Sequence, residues 1–191
     1  FLTNCGGFRE FAESRGKILP ARLSCALEAA EIKAGMKVAD IGCGRGELVL
    51  HAAALGAEVL GVDYSGEALK LAEELLAGNQ EFAGKVRFLK ADVNELRLGS
   101  GLFDVIFMTD IIEHLHPGEL AAAFGKALEA LKPGGRLIAH TAPNSWFCLY
   151  GWPVVRRIVL LKERLLGTLN PVPVIHHSMT GINEKVHVNL Q

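Results

Sequence analysis

The sequence has little that would mark it as secreted, membrane-spanning or nucleic-acid binding. Its four cysteines, Cys5, Cys25, Cys43 and Cys148, form no CxxC pair and no dense framework, so reduced thiols in a cytoplasmic protein are the expectation. Basic and acidic residues number 20 and 21, a net charge of -1, and no global field draws the chain to nucleic acid. No basic start, apolar run and small-residue cleavage site follows Phe1. The most apolar late stretch, residues 146–155, is too short to span a bilayer, and Arg156 and Arg157 interrupt its continuation. Internal repeats and low-complexity tracts are absent from the sequence. What remains is an ordinary globular balance: 191 residues, 50% hydrophobic and 21% charged, enough for one domain over residues 1–191 and short for two.

Between residues 37 and 141, apolar runs alternate with helical patterns. Residues 37–41, 58–62, 86–89, 103–108 and 136–140 read as short buried strands. Residues 47–55 read as a helix stopped by Gly56. Ser65 caps the next helix, with Glu67 in its first turn and Ala68, Leu71, Ala72 and Leu75 on one apolar face before Gly78. A further helix covers residues 118–131 and breaks at Pro133-Gly134-Gly135. This alternation requires right-handed crossovers and a parallel sheet covered on both faces: a doubly wound, Rossmann-like α/β fold with its ligand at the carboxyl ends of the strands. Residues 36–143 form that core. Residues 1–34 hold two expected helices, 8–14 and 22–32, which could lie across the ligand mouth. Residues 144–191, rich in proline and with one helix expected over 154–166, are the expected substrate or lid region.

The turn Asp40-Ile41-Gly42-Cys43-Gly44-Arg45-Gly46 joins the first strand to the first helix. Glycines there allow a tight turn and let backbone approach a ligand beside a helix N-terminus, although such turns also serve structure alone. Three carboxylates accompany it. Asp63 ends the second strand, where a carboxylate can accept both hydroxyls of a ribose. Asp92 follows the third strand, within reach of an adenine amine, and Asp110 follows the fourth, where the other end of such a ligand would lie. One strand-end aspartate is ordinary loop chemistry; three in this order form a pattern.

The segments 38–46, Gly61-Val62-Asp63-Tyr64-Ser65, Ala91-Asp92-Val93, Phe103-Asp104-Val105-Ile106 with Glu113-His114-Leu115, and Leu131-Lys132-Pro133-Gly134-Gly135 together resemble the motifs of class I methyltransferases, in particular the group that includes quinone-biosynthesis and other small-molecule enzymes. The resemblance covers roughly residues 36–143. It implies S-adenosylmethionine as cofactor and a small-molecule methyl acceptor. It implies that Asp40, Gly42 and Gly44, with Cys43 between them, shape the pocket for the methionine part, and that Gly46 opens the helix behind. Asp63 would hold the ribose with Tyr64 beside the adenine, Asp92 and Val93 the adenine edge, and backbone around Asp110 and Ile111 the amino acid end. Members of the family have seven strands; no sixth and seventh are legible before Gln191, so the far edge of the sheet is expected to be missing or divergent.

Two other classes compete. A nicotinamide-dependent dehydrogenase needs GxGxxG, whereas the glycines here are 42, 44 and 46 and the next residue is Glu47, whose carboxylate would repel a pyrophosphate if turned inward. A non-catalytic module that binds S-adenosylmethionine would keep the same pocket. For chemistry, His114 is the placed candidate for a base that takes a proton from a hydroxyl acceptor, against the alternative of a histidine satisfied within its loop. Asp110, Glu113 and His114 form a D-x-x-E-H set similar to the E-x-x-E-H metal set of some relatives; with Asp in first place and no fourth ligand, no metal is assigned. The aromatic run from Trp146 to Trp152 is either core or the wall of an apolar or aromatic acceptor pocket. Arg156, Arg157, Lys162 and Arg164 belong either to a solvated helix face or to one touching a membrane surface, and the solvated face is the preferred reading.

Overall fold

The computed structural model describes residues 13–14 and 16–141. The expected segments 1–12 and 144–191, the aromatic run and the basic helix among them, lie outside the described residues. Five strands form one sheet in the order β3-β2-β1-β4-β5, with every neighbouring pair parallel. They are β1 (Lys37–Ile41), β2 (Glu58–Asp63), β3 (Val86–Lys90), β4 (Phe103–Thr109) and β5 (Leu131–His140). The helices are α1 (Ala21–Ala30), α2 (Glu47–Ala54), α3 (Gly66–Ala77) and α4 (Pro117–Ala130), with 3-10 turns at Gln80–Phe82 and Ile112–His114. The chain begins its sheet in the middle, winds outward through β2 and β3, then crosses back to β4 beside β1. Between β1 and β4 the winding reverses, and there the loops of a doubly wound sheet part to leave a crevice.

Alternation along the strands sorts the apolar side chains into two cores. Val38, Val59, Val86, Val105 and Phe107 pack under α1, α2 and Leu69 of α3. Ala39, Ile41, Val62, Ile106 and Met108 face Ala123, Ala127 and Ala130 of α4. In α3 the Ser65 hydroxyl accepts the Ala68 N–H at 3.2 Å and Glu67 sits in the first turn, as the sequence predicts. Its buried face, however, is Ala68, Leu69, Ala72 and Leu75, with Leu71 only half-buried. The apolar stripe is rotated toward the core shared with α2, because Leu69 reaches that side.

Two elements differ more from their sequence-level outline. The strand expected over residues 136–140 begins at Leu131, directly after α4, and its ladder steps from Phe103–Leu131 to Val105–Arg136. Residues 132–135 are extruded there, since Pro133 has no N–H to give and Gly134 turns at φ +80°. Helix α1 does not lie across the mouth. Arg136, early in β5, reaches the Ala29 and Ala30 carbonyls and pairs with Glu31 at 2.8 Å, while Arg22 reaches Asp110 beyond β4. The helix therefore runs antiparallel to the strands along the sheet, and only its first turn arrives at the carboxyl edge.

Gly61, in the middle of β2, marks a close approach. A side-chain carbon there would stand 2.7 Å from the Phe88 ring and 3.0 Å from the Cys43 sulfur. Gly61→Val is expected to lower stability by about 1–3 kcal/mol, the usual cost of overfilling a packed core. An unchanged urea midpoint would show that the site has slack.

Candidate functional site

The loop after β1 spends its backbone amides on the protein itself. Gly42 and Cys43 donate to the Val62 carbonyl at 2.7 and 2.9 Å, Gly46 donates to Cys43 O at 2.9 Å, and Gly44 donates to Asp63 Oδ2 at 2.8 Å. The other oxygen of Asp63 accepts the Ser65 N–H at 2.8 Å. Asp63 is thus the clasp between β2 and the glycine loop. Gly44 has φ +53°, and a side-chain carbon added there would meet nothing within 4 Å, so this stretch of loop borders open space. Ile111 closes the loop from the β4 side, lying so near that a carbon on Gly42 would be 2.9 Å from it. Gly46 is the residue before α2. Cys43 turns its side chain into the core, where burial pushes the thiol far up; only its backbone belongs to the loop. Glu47 is buried and paired with Arg45 at 3.1 Å.

Asp40 is the outlier. It is buried, its Oδ1 accepts no hydrogen bond among the described residues, and its carboxyl is pushed up to about 7. Burial is the main cause, followed by the negative charges of Asp63 and Asp110. Three of the strand-end aspartates therefore share one neighbourhood. Asp110 adopts φ +57°, unusual for a residue with a side chain. Its Oδ2 accepts Arg22 Nε at 2.5 Å, its Oδ1 meets His140 Nδ1 at 2.6 Å, and its own N–H donates to the His140 carbonyl at 2.9 Å.

The adenine-side candidates stand on the surface. Tyr64 is 74% exposed. Asp92 is exposed and accepts the Asn94 N–H at 2.8 Å, next to the half-buried Val93. Lys126 of α4 binds the Val93 and Asn94 carbonyls at 2.9 and 2.5 Å, and Glu119 accepts from the Asn94 amide at 3.0 Å, so α4 holds this loop in shape. Glu113 is buried and accepts the Thr141 hydroxyl at 2.9 Å, while His114 is exposed on its 3-10 turn. The D-x-x-E-H set is thus spread over different partners, and among the described residues no group of three His, Cys, Asp or Glu side chains could hold a metal ion.

Arg22, Lys126 and His140 were not singled out from sequence. His140 could have been: it ends the fifth strand in a parallel sheet, so it must share an edge with Asp40, Asp63 and Asp110. Arg22 and Lys126 carried no such signal, since each depends on how a helix lies on the sheet.

A methyltransferase domain family matches residues 38–135, just over half of the chain. A ubiquinone biosynthesis O-methyltransferase of Acinetobacter baumannii is 36% identical over 149 residues, covering 75% of this chain and 61% of the relative, so the chain spans less than two thirds of that protein. A Pyrococcus horikoshii protein of known structure is 25% identical with TM-score 0.60, over 84% of this chain and 64% of the other. An S-adenosylmethionine dependent methyltransferase from Mesorhizobium loti shares the fold at 24% identity and TM-score 0.53, over 77% and 58% of the two chains.

The buried carboxyl of Asp40 makes a pH signature. With its carboxyl at about 7 in the fold against an ordinary 3.8, Asp40 keeps its proton in the folded chain while the unfolded chain has released it. Stability should therefore fall as pH rises from about 4 to 7, by on the order of 4 kcal/mol from this group, and level off above. Asp40→Asn should remove that part of the slope and raise the urea midpoint at pH 8. Parallel pH profiles for the two proteins would discount the burial argument.

Proposed function

Since the chain belongs to the methyltransferase domain family, we propose that it binds S-adenosylmethionine at the carboxyl edge of β1, β2 and β4 and methylates a hydroxyl oxygen of a small, apolar or aromatic acceptor. The observation that carries this reading is the charge of the crevice. Burial, with the charges of Asp63 and Asp110 beside it, raises the cost of ionising Asp40, which also has a buried oxygen with no donor among the described residues. A ligand that brings positive charge, as a sulfonium with an α-ammonium does, relieves both costs. A dinucleotide would add negative charge to the same place. It would also look for loop amides, and those of Gly42, Cys43, Gly44 and Gly46 are already donated within the protein.

The roles then fall along the edge in order. Asp63 keeps lone pairs beyond the two it lends to Gly44 and Ser65, enough to accept ribose hydroxyls. Asp92 and Val93, on the loop that Lys126 holds, face the adenine, with Tyr64 as the exposed ring beside it. Asp40, Gly42 and Gly44 surround the methionine part, and backbone at Asp110 and Ile111 completes it. The bound cofactor supplies an electrophilic methyl carbon; the protein supplies position. Oxygen as the receiving atom is carried over from the relative's description as an O-methyltransferase at 36% identity. His114, the base candidate that the sequence offers, stands exposed on the 3-10 turn after β4. Residues 1–191 act as one domain in this proposal, and no helix among the described residues is long and apolar enough to cross a membrane.

S-Adenosylhomocysteine should raise the melting temperature and bind in calorimetry, and NAD should do neither. Asp63→Ala should weaken S-adenosylhomocysteine by about 10- to 100-fold, the loss of hydrogen bonds to a charged acceptor. Stabilisation by NAD, or an unchanged affinity in a folded variant, would move the cofactor elsewhere.

A further inference from the structure

Beyond the backbone that Asp110 lends to the cofactor in this reading, the side chains of Arg22, Asp110 and His140 form a connected polar group at the carboxyl edge. Thr109 and His140 are register partners at the ends of β4 and β5, and the Asp110 N–H bonds the His140 carbonyl at 2.9 Å. The left-handed φ of Asp110 swings its carboxylate back over β5, onto His140 Nδ1 at 2.6 Å. Arg22 Nε binds the second carboxylate oxygen at 2.5 Å, so both oxygens of Asp110 are engaged while one faces the ring. The backbone is held, the carboxylate is held from both sides, and the imidazole is oriented by a single strong contact.

An ionised carboxylate only accepts hydrogen bonds, so the ring's proton in the neutral form belongs on Nδ1, facing Asp110. Nε2 is then left as a bare lone pair. The His140 side chain is 38% exposed, at the edge where a doubly wound sheet takes its ligand. A carboxylate that fixes the tautomer of an imidazole, and later faces the imidazolium, is the arrangement that turns histidine into a general base.

We propose that His140 is the catalytic base for a phenolic acceptor, oriented by Asp110, with Arg22 as a positioning residue that acts through Asp110. The inference rests on the methyl-transfer reading. In the step, the acceptor oxygen forms a bond to the methyl carbon as the sulfur–carbon bond breaks. The electron pair of that bond stays on sulfur, which becomes the neutral thioether, and the acceptor's proton passes to Nε2 of His140 and from there to solvent. Asp110 from the end of β4 contacts the ring, Arg22 of α1 stands behind it, and Glu113 holds the hydroxyl of the neighbouring Thr141. Asp40 lies close enough to feel Asp110.

The test uses protein labelled with 15N at histidine, the ring of His140 being assigned by the signals lost in His140→Gln. Catechol serves as the phenol probe. Wild type should show His140 with its proton on Nδ1 and Nε2 bare, and Asp110→Asn should mix the tautomers. Catechol added to the S-adenosylhomocysteine complex should move the Nε2 resonance. With S-adenosylmethionine, His140→Gln should lose about 100-fold or more in kcat toward catechol, while the KM for the cofactor changes less than about twofold. A proton on Nε2, an Nε2 signal indifferent to catechol, or an undiminished kcat in His140→Gln would each overturn the proposal. Failure of wild type to bind S-adenosylhomocysteine is a separate result, which overturns the cofactor reading while the tautomer measurement still reports on the pair.

Discussion

The hydrogen bond from the Gly44 amide to Asp63 is the constraint on which the rest of the site depends. A sheet that reverses its winding leaves a crevice beyond the carboxyl ends of β1 and β4, and the loop after β1 must be told how to border it. The Val62 carbonyl takes two amides of that loop and the Asp63 carboxylate takes a third, so the loop's path is dictated by the end of β2. With those amides committed, the crevice cannot serve as an anion cradle. Its remaining polar character comes from carboxylates, and on that charge the proposal of a cationic ligand rests.

That charge has a cost, and the cost is concentrated in one residue. Asp40 sits at the innermost point, buried and near two like charges. Asp110, by contrast, is matched by Arg22 and His140, and Asp63 by two amides. A chain optimised for stability alone would place an apolar side chain at residue 40, as it does at the neighbouring Ala39 and Ile41. A buried carboxyl with an oxygen lacking a partner among the described residues is the kind of local inconsistency that functional sites carry.

The sheet was legible because its signals are local and redundant. Residues 37–41, 58–62, 86–89 and 103–108 are apolar runs bounded by turn residues, and the observed strands match them to within a residue at each end. The cap at Ser65 was equally local. The strand-end positions of Asp40, Asp63, Asp92 and Asp110 follow from the strands. What escaped depends on packing: the start of β5, where a bulge absorbs the proline and glycines that seemed to forbid a strand; the turn of α3 toward Leu69; and the direction of α1. None of these has a period in the sequence. The conformation of Asp110 is hidden for the same reason, since aspartate only tolerates a left-handed φ and nothing nearby demands it.

The two halves of the edge are consequently built on different principles. The half proposed for the cofactor is made by the ends of β1, β2 and β3 and the loops after them, each with its own aspartate, and its chemistry can be read one segment at a time. The half beside β4 and β5 is made by three segments distant in sequence: the first turn of α1, the residue after β4 and the last residue of β5. Its geometry exists only when α1 is packed along the sheet, with Leu23, Ala26 and Ala30 in the core and Arg136 holding the far end. Packing of an otherwise plain helix and orientation of an imidazole are therefore one event: α1 seats Arg22, Arg22 seats Asp110, and Asp110 seats His140. A change that loosened the far end of α1 would act on the ring through this chain of contacts without touching any residue at the mouth.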